Sequence, residues 1–232
     1  VLDPVLSAVF PAECPCCAHG VERPSQGPLC GACWQALPRH AAACACGTPL
    51  LAPGVCGRCR RGLQPLSRGA SLGPHEGSLR ALVHAFKYGG RRSAASRVAE
   101  RLREAPEAVA VLAGADLLVA VPLHPRRLRE RGFNQAEELC AAFARAGAPR
   151  HERGVLVRRR DTAAQAGLKA AERRRNVAGA FAVRRRAAVA GRVVVLVDDV
   201  YTTGATARAC GSVLLAAGAS EVRVLTIARA GL

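Results

Sequence analysis

The sequence predicts an α/β protein: a parallel sheet with helices on both faces, preceded by a small Cys-rich module. Three observations predict it. The run Val193–Val197 is continuously apolar and ends on Asp198-Asp199, as expected of a strand buried on both faces whose end emerges from the core. From about residue 66 onward, short apolar runs alternate with stretches of helical periodicity. Nine of the 11 cysteines fall before residue 60, eight of them in four closely spaced pairs.

The 232 residues suffice for one medium α/β domain and a small appended module, with expected boundaries of 1–65 and 66–232. Half of the chain is hydrophobic but only 3% is aromatic, so the core must be built from Ala, Val and Leu. Basic residues outnumber acidic ones 34 to 17, a net charge of +17 that predicts attraction to polyanions. The excess lies in residues 66–232, which hold 29 basic and 14 acidic residues, against 5 and 3 in residues 1–65. Only Lys87 and Lys169 are lysines, a bias that high-GC coding would also produce. No stretch approaches the roughly 20 apolar residues of a membrane span. Val1–Phe10 lacks a basic leading region, is interrupted by Asp3 and Pro4, and reads as a short amphipathic helix instead of a secretory signal. A cytosolic protein without membrane insertion is expected, which favours metal over disulfides for the cysteines.

Arg68–Leu72 reads as a first strand. Leu79, Leu82, Val83 and Phe86 recur at helical spacing, and Lys87-Tyr88 close that helix ahead of Gly89-Gly90. Ser93–Arg103 reads as a second helix with Val98 and Leu102 on one face. Leu117–Val121 is an apolar run stopped by Pro122, hence a buried strand. Asn134 is a good N-cap with Glu137 three residues on, which places a helix over about 135–146. Val155–Val157 and Phe181–Val183 read as strands around a helix Leu168–Asn176. After the strand Val193–Val197, a helix Thr206–Ala217 ends at Gly218, and Glu221–Ile227 closes the sheet.

The cysteine pairs are Cys14-x2-Cys17, Cys30-x2-Cys33, Cys44-x-Cys46 and Cys56-x2-Cys59. Two Cys separated by two residues turn both sulfurs to one side of a tight turn, and two such knuckles make a tetrahedral Zn²⁺ site. Eight thiolates suffice for two sites, and metal binding would drive the folding of a segment this poor in large apolar residues. Grouping in chain order is favoured, although the spacing also allows an interleaved one. The tightened third pair and the surplus Cys16 leave the zinc stoichiometry open. Cys140 and Cys210 read as small buried hydrophobes.

Asp198 and Asp199 arrive at the C-terminal edge of a parallel sheet, where open α/β sheets bind ligands. Adjacent carboxylates there can accept from ribose hydroxyls or hold Mg²⁺. Thr202, Thr203, Gly204, Ala205 and Thr206 then turn the chain into a helix. Small residues let backbone N–H groups approach a phosphate, threonines add hydroxyl donors, and the helix N-terminus adds positive potential. A lone Asp-Asp would read as a solvated strand end; followed by Thr-Thr-Gly-x-Thr it reads as a phosphate-ribose site.

That run resembles the signature of type I phosphoribosyltransferases. Two further segments narrow the resemblance. Val121–Gln135 (VPLHPRRLRERGFNQ) is similar to the hallmark of the ComF family, as are Arg158–Gln165 (RRRDTAAQ) with Leu168, Arg173, Asn176 and Phe181. The Cys-rich front matches the same family, so the resemblance covers essentially the whole chain; the tightened Cys44-x-Cys46 pair is the one departure. It implies a type I phosphoribosyltransferase-like sheet behind a zinc-ribbon module with ligands Cys14, Cys17, Cys30, Cys33, Cys44, Cys46, Cys56 and Cys59.

The resemblance also implies roles. Asp198 and Asp199 would bind the ribose hydroxyls, and Thr202–Thr206 the 5′-phosphate of phosphoribosyl diphosphate. The loop Pro122–Arg127 would cradle diphosphate and Mg²⁺ through His124, Arg126 and Arg127, and Arg suits multidentate contacts to phosphate oxygens. A mobile loop within about 158–176, carrying Arg158, Gln165 and Arg173, would close over the reacting centre. Lys87 and Tyr88 would sit in the hood over the acceptor. The function implied is either phosphoribosyl transfer to a nitrogenous acceptor or a role in DNA uptake, handling single-stranded DNA alongside competence-machinery proteins. Trp34, Tyr88, Phe133 and Tyr201 are few candidates for the stacking platforms that single-strand grooves use, which weighs against the second role.

Overall fold

Runs of Val, Leu and Ala form the central strands of this chain. The computed structural model describes residues 3, 12–40, 42–62, 65–88, 93–147, 149–161 and 170–230, with backbone only at 170, 171, 173 and 174. In chain order the elements are α1 (Gly31–Gln35), β1 (Ala42–Ala43), β2 (Pro49–Leu50), α2 (Gly57–Arg60), β3 (Gly69–Pro74), α3 (Gly77–Tyr88), α4 (Ala94–Arg103), α5 (Pro106–Leu112) and β4 (Leu117–Ala120). They continue with α6 (Pro125–Arg131), α7 (Gln135–Arg145), β5 (Arg150–His151), β6 (Leu156–Arg158), α8 (Ala170–Val177), β7 (Phe181–Val183), β8 (Val193–Tyr201), α9 (Ala205–Ala216) and β9 (Glu221–Arg229).

The main sheet has five strands in the order β3-β9-β8-β4-β5, and every pairing is parallel. Its central strands are buried on both faces. Leu118, Val195, Val197, Leu225 and Ile227 pack one face against Leu79, Phe86, Val98, Leu139 and Phe143 of α3, α4 and α7. Leu117, Val119, Val194, Leu196 and Val224 pack the other against Cys210 and Leu214 of α9 and against Phe181. The two-sided burial explains why these strands read as continuous apolar runs.

Several expectations shift. β8 and β9 run past Val197 and Ile227 to Tyr201 and Arg229, because Val200 pairs with Ala228 and Tyr201 with Arg229. The acid pair therefore lies within a strand. Val155–Val157 and Phe181–Val183 do not join the parallel sheet; β6 and β7 form a separate antiparallel ribbon. Pro125, at the first helical turn where its missing N–H costs nothing, opens α6, so Arg126 and Arg127 stand on a helix and not in a loop. Asn134 caps α7 by accepting from the Ala136 N–H at 3.0 Å, while Glu137 pairs with His151 at 3.0 Å instead of closing a capping box. The helix expected over Val1–Phe10 lies outside the described residues except Asp3, whose carboxylate accepts from the Ser25 N–H and hydroxyl. No helix among the described residues is long and apolar enough to cross a membrane.

The Cys-rich segment is packed into this body. Cys14, Val21, Leu29, Cys30 and Leu37 belong to the same apolar cluster as α3 and α4. Farther along, the edge strand β3 is covered: the Gly69 N–H donates to the Ala45 carbonyl at 2.8 Å, and His40 Nε2 lies 3.2 Å from Ser71 Oγ. Covering removes an open edge that could pair with another chain. Two glycines allow the approach, since a Cβ on Gly69 would land on the Cys46 carbonyl and one on Gly73 on the Pro38 carbonyl. Gly73→Ala should therefore overpack this seam and cost about 1–3 kcal/mol, read as a lower urea midpoint with an unchanged slope.

Candidate functional site

Parallel pairing brings the ends of β4 and β8 side by side, with Ala120 opposite Val197. Successive side chains of a strand point to opposite faces, so the two acids at the end of β8 diverge. Asp199 reaches the α3 side, where Lys87 Nζ lies 3.1 Å from its Oδ1. Asp198 turns toward the α9 side, its charge felt by Cys210 and Arg158, and it accepts from the Asp199 N–H at 2.8 Å. Burial, then the neighbouring Asp199 charge, raises the Asp198 carboxyl to about 7. A carboxyl titrating near neutrality at a sheet edge is a group whose charge a ligand or cation can set.

Thr202 and Thr203 are half-buried and lead into Gly204, which adopts φ +70° at the start of α9. Only glycine fits there: the left-handed backbone disfavours a side chain, and a Cβ would land on the Tyr201 ring. Thr203 Oγ1 accepts from the Ala205 N–H at 3.4 Å. The N-terminal turn of α9, Ala205 and Thr206 included, thus opens at the same edge as the acids, with its positive potential directed there.

Beside it, Pro122–His124 leaves β4. The Asn134 amide donates to the Val121 carbonyl at 3.0 Å and tethers this turn to α7. His124 Nδ1 lies 3.4 Å from Asp161 Oδ1, and Arg126 Nη1 donates to Asp161 Oδ2 at 3.4 Å. Arg127 stands close enough to Arg158 that, after burial, its charge is the main influence lowering the Arg158 guanidinium. Arg158, from β6, lies close enough to Asp198 for the two charges to influence each other. The geometry brings Lys87, His124, Arg126, Arg127, Arg158, Asp198, Asp199 and Thr202–Thr206 to one edge of the sheet. Tyr88 is exposed at the end of α3, its ring 4.9 Å from that of His84 and under the Arg131 guanidinium at 5.4 Å. Arg173 is seen only as backbone in α8, and Gln165 lies outside the described residues.

Sequence reasoning missed two members. Asp161 was one acid in a basic run, yet it bridges His124 and Arg126, which only folding reveals. His75 follows β3 at the sheet edge; burial and then the Lys87 charge lower its imidazole. Its place directly after an edge strand was a usable signal.

The cysteines form two groups in chain order, Cys14, Cys17, Cys30, Cys33 and Cys44, Cys46, Cys56, Cys59, with all sulfurs of a group within 4.8 Å of one another. Sulfurs bound to one tetrahedral Zn²⁺ stand about 3.8 Å apart. Cys17 and Cys30 sulfurs are 3.6 Å apart, and those of Cys46 and Cys56 are 3.7 Å apart, a spacing that fits zinc ligands and is too long for a disulfide bond. Burial alone would raise the Cys14 and Cys56 thiols, but nearby hydrogen bonds outweigh it and bring both to about 6. Cys33 is pushed up chiefly by Cys17, and Cys59 chiefly by burial. A bound zinc ion would let all four thiols of a group ionise together. The one-residue spacing of Cys44 and Cys46 is accommodated by Gly47 at φ +78° and by Thr48, whose Oγ1 lies 3.1 Å from Cys46 Sγ.

A family model described as Double zinc ribbon domain matches residues 5–64. The DNA utilization protein YhgH of Salmonella typhimurium is 34% identical over 206 residues, spanning 87% of this chain and 90% of its own length. Competence protein F of Haemophilus influenzae is 28% identical over 208 residues, spanning 88% and 85%. Among solved structures, the glutamine phosphoribosylpyrophosphate amidotransferase of B. subtilis aligns with a TM-score of 0.43 and 23% identity over 62% of this chain and 30% of that one. That structural likeness is too slight to bear on function.

Two outcomes are expected. Native mass spectrometry should find two zinc ions per chain and one in Cys56→Ser; a zinc-free wild type would contradict the sulfur geometry. Asp198 holds its proton more tightly folded, at about 7, than the ordinary carboxyl at 3.8. The folded state therefore binds the extra proton within this window, and ligand-free stability should fall as pH rises from about 4 to about 7. Urea titrations should show that slope flattened in Asp198→Asn.

Proposed function

Because the chain belongs to the ComF family, that of the DNA utilization protein YhgH and competence protein F, we propose that it binds phosphoribosyl diphosphate with Mg²⁺ and transfers the phosphoribosyl group to a nitrogenous acceptor. In this reading residues 1–65 are the zinc module and residues 66–232 the transferase-like domain. One observation carries it. The acid pair, the Thr-Gly turn opening α9 and the basic groups after β4 converge at one edge of a parallel sheet.

The 5′-phosphate fits the N–H groups opening α9, with the hydroxyls of Thr202, Thr203 and Thr206 around them. Asp198 and Asp199 accept from ribose hydroxyls. Diphosphate meets His124, Arg126, Arg127 and Arg158 and displaces Asp161 from the first two. The Asp198 and Asp199 carboxylates, with substrate oxygens, form an oxygen donor set that suits Mg²⁺, which when bound supplies charge neutralisation for the leaving group. The acceptor nitrogen forms a C–N bond at the anomeric carbon as the C–O bond to diphosphate breaks, and the electron pair leaves with the diphosphate. The proton lost from that nitrogen passes to one of the two Asp carboxylates. Segment 158–176, with Gln165 and Arg173, excludes water by closing over the site, and Lys87 and Tyr88 border the acceptor.

A second reading rests on the names of the relatives and on the basic excess of residues 66–232: a DNA-uptake protein that holds single-stranded DNA and works with competence-machinery proteins. Tyr88 beneath Arg131 offers one exposed stacking surface.

Calorimetry separates the two. The zinc-loaded protein should bind phosphoribosyl diphosphate saturably and only with Mg²⁺, and Asp198→Asn with Asp199→Asn should abolish it. Absence of binding by a folded wild type would refute the transferase reading. Anisotropy of a labelled single-stranded oligonucleotide supports the second reading if affinity falls steeply with salt and is indifferent to Asp198→Asn.

A further inference from the structure

Arg229 ends β9 and is only 6% exposed, yet among the described residues no carboxylate pairs with it. A buried guanidinium needs both hydrogen bonds and negative charge around it. Its neighbours come from the second cysteine group. Nη1 donates to the Cys46 carbonyl at 3.4 Å, and Nη2 donates to Thr48 Oγ1 at 3.1 Å. The Thr48 hydroxyl stands 3.1 Å from Cys46 Sγ, so it can accept from Arg229 while donating to a thiolate. Four thiolates around one divalent zinc keep a net negative charge, and that cluster is the counter-charge Arg229 otherwise lacks. Gly47 makes the approach close: a Cβ there would stand 2.7 Å from the Gly69 carbonyl oxygen and 2.9 Å from Arg229 Nη1.

On its other side Arg229 lies over the Tyr201 ring at 3.7 Å. That ring is 4% exposed and fills the space where Gly204 would carry a Cβ. Arg208 Nη1 donates to Tyr201 Oη at 3.4 Å, and the Ala230 N–H donates to the Tyr201 carbonyl at 2.9 Å. Thiolate, Thr48, Arg229, Tyr201 and Gly204 therefore touch in series, from the metal ligands to the turn that opens α9.

We propose that Arg229 is a positioning residue that couples the second cysteine group to the phosphate turn, so that zinc on Cys44, Cys46, Cys56 and Cys59 sets the affinity of Thr202–Thr206 for a phosphate ester. The ligand half of this statement rests on the transferase reading above. The first cysteine group supplies an internal control, since Cys14 and Cys30 are buried in the cluster beneath α4, and Arg97 of that helix covers Trp34 at 4.2 Å. Coupling is reciprocal: a phosphate ligand raises the zinc affinity of the second group by the factor by which zinc raises the ligand's.

The test uses the full chain at saturating zinc with two readouts, calorimetric affinity for phosphoribosyl diphosphate with Mg²⁺ and amide hydrogen exchange across 202–206. Thr48→Val and Arg229→Gln should weaken binding by about 5- to 150-fold and speed exchange in that turn, with the zinc content still two per chain. Thr48→Ser should restore both readouts. Cys17→Ser should lose the first zinc and leave the turn as in the wild type. Unchanged exchange in Thr48→Val, or an equal effect from Cys17→Ser, overturns the coupling. If Arg229→Gln fails to fold, Thr48→Val alone decides. If the wild type does not bind phosphoribosyl diphosphate, the transferase reading fails, and exchange across 202–206 still decides whether zinc governs the turn.

Discussion

The parallel pairing of β8 with β4 on one side and β9 on the other is the constraint on which the rest depends. Strands that run the same way end at the same edge, so the turns following β4 and β8 open side by side although Ala120 and Val197 lie 77 positions apart in the chain. The pairing also buries the central strands on both faces. Their backbone groups are satisfied in the ladder, and only the strand ends are left to present polar side chains. A chain this short of aromatic residues can hold such a sheet because Val, Leu and Ala fill both faces, with Phe86, Phe143 and Phe181 at the helix and ribbon contacts.

The same edge concentrates unfavourable electrostatics. Half-buried Asp198 stands beside Asp199, and Arg127 is crowded against Arg158. Direct ion pairs answer part of it, Lys87 meeting Asp199 and Asp161 meeting His124 and Arg126. An anionic sugar phosphate with a divalent cation would satisfy both signs at once. Asp198, raised by burial and by Asp199 despite those pairs, marks the arrangement as a candidate site.

The cysteine segment is part of this architecture as well as a metal module. Its first half shares the core under α3 and α4, and its second half seals the edge strand β3 through Gly69, Gly73 and the turn at Gly47. The glycines on both sides of that seam show that the two surfaces meet backbone to backbone. Zinc at the second group would fix a turn that leans on β3 and on Arg229 at the same time.

The sequence by itself determined the two-sided parallel sheet, the acid pair with its Thr-Gly turn, and the four cysteine knuckles. Each is a local signal: a continuous apolar run, a run of small and hydroxyl residues after it, and close thiol spacing. It also pointed to Lys87, His124, Arg126, Arg127 and Arg158, which folding gathers at the same sheet edge, although it set Arg126 and Arg127 in a loop where α6 stands. Only the tertiary structure decided that the thiols group in chain order, that β6 and β7 leave the main sheet as a ribbon carrying Arg158 to Asp198, and that the two acids face opposite sides. It alone joined Asp161 to His124 and Arg229 to Thr48. The reason is range. Periodicity and spacing report what neighbours along the chain can do, whereas an ion pair or a buried cation depends on which distant segments packing brings within a few ångströms.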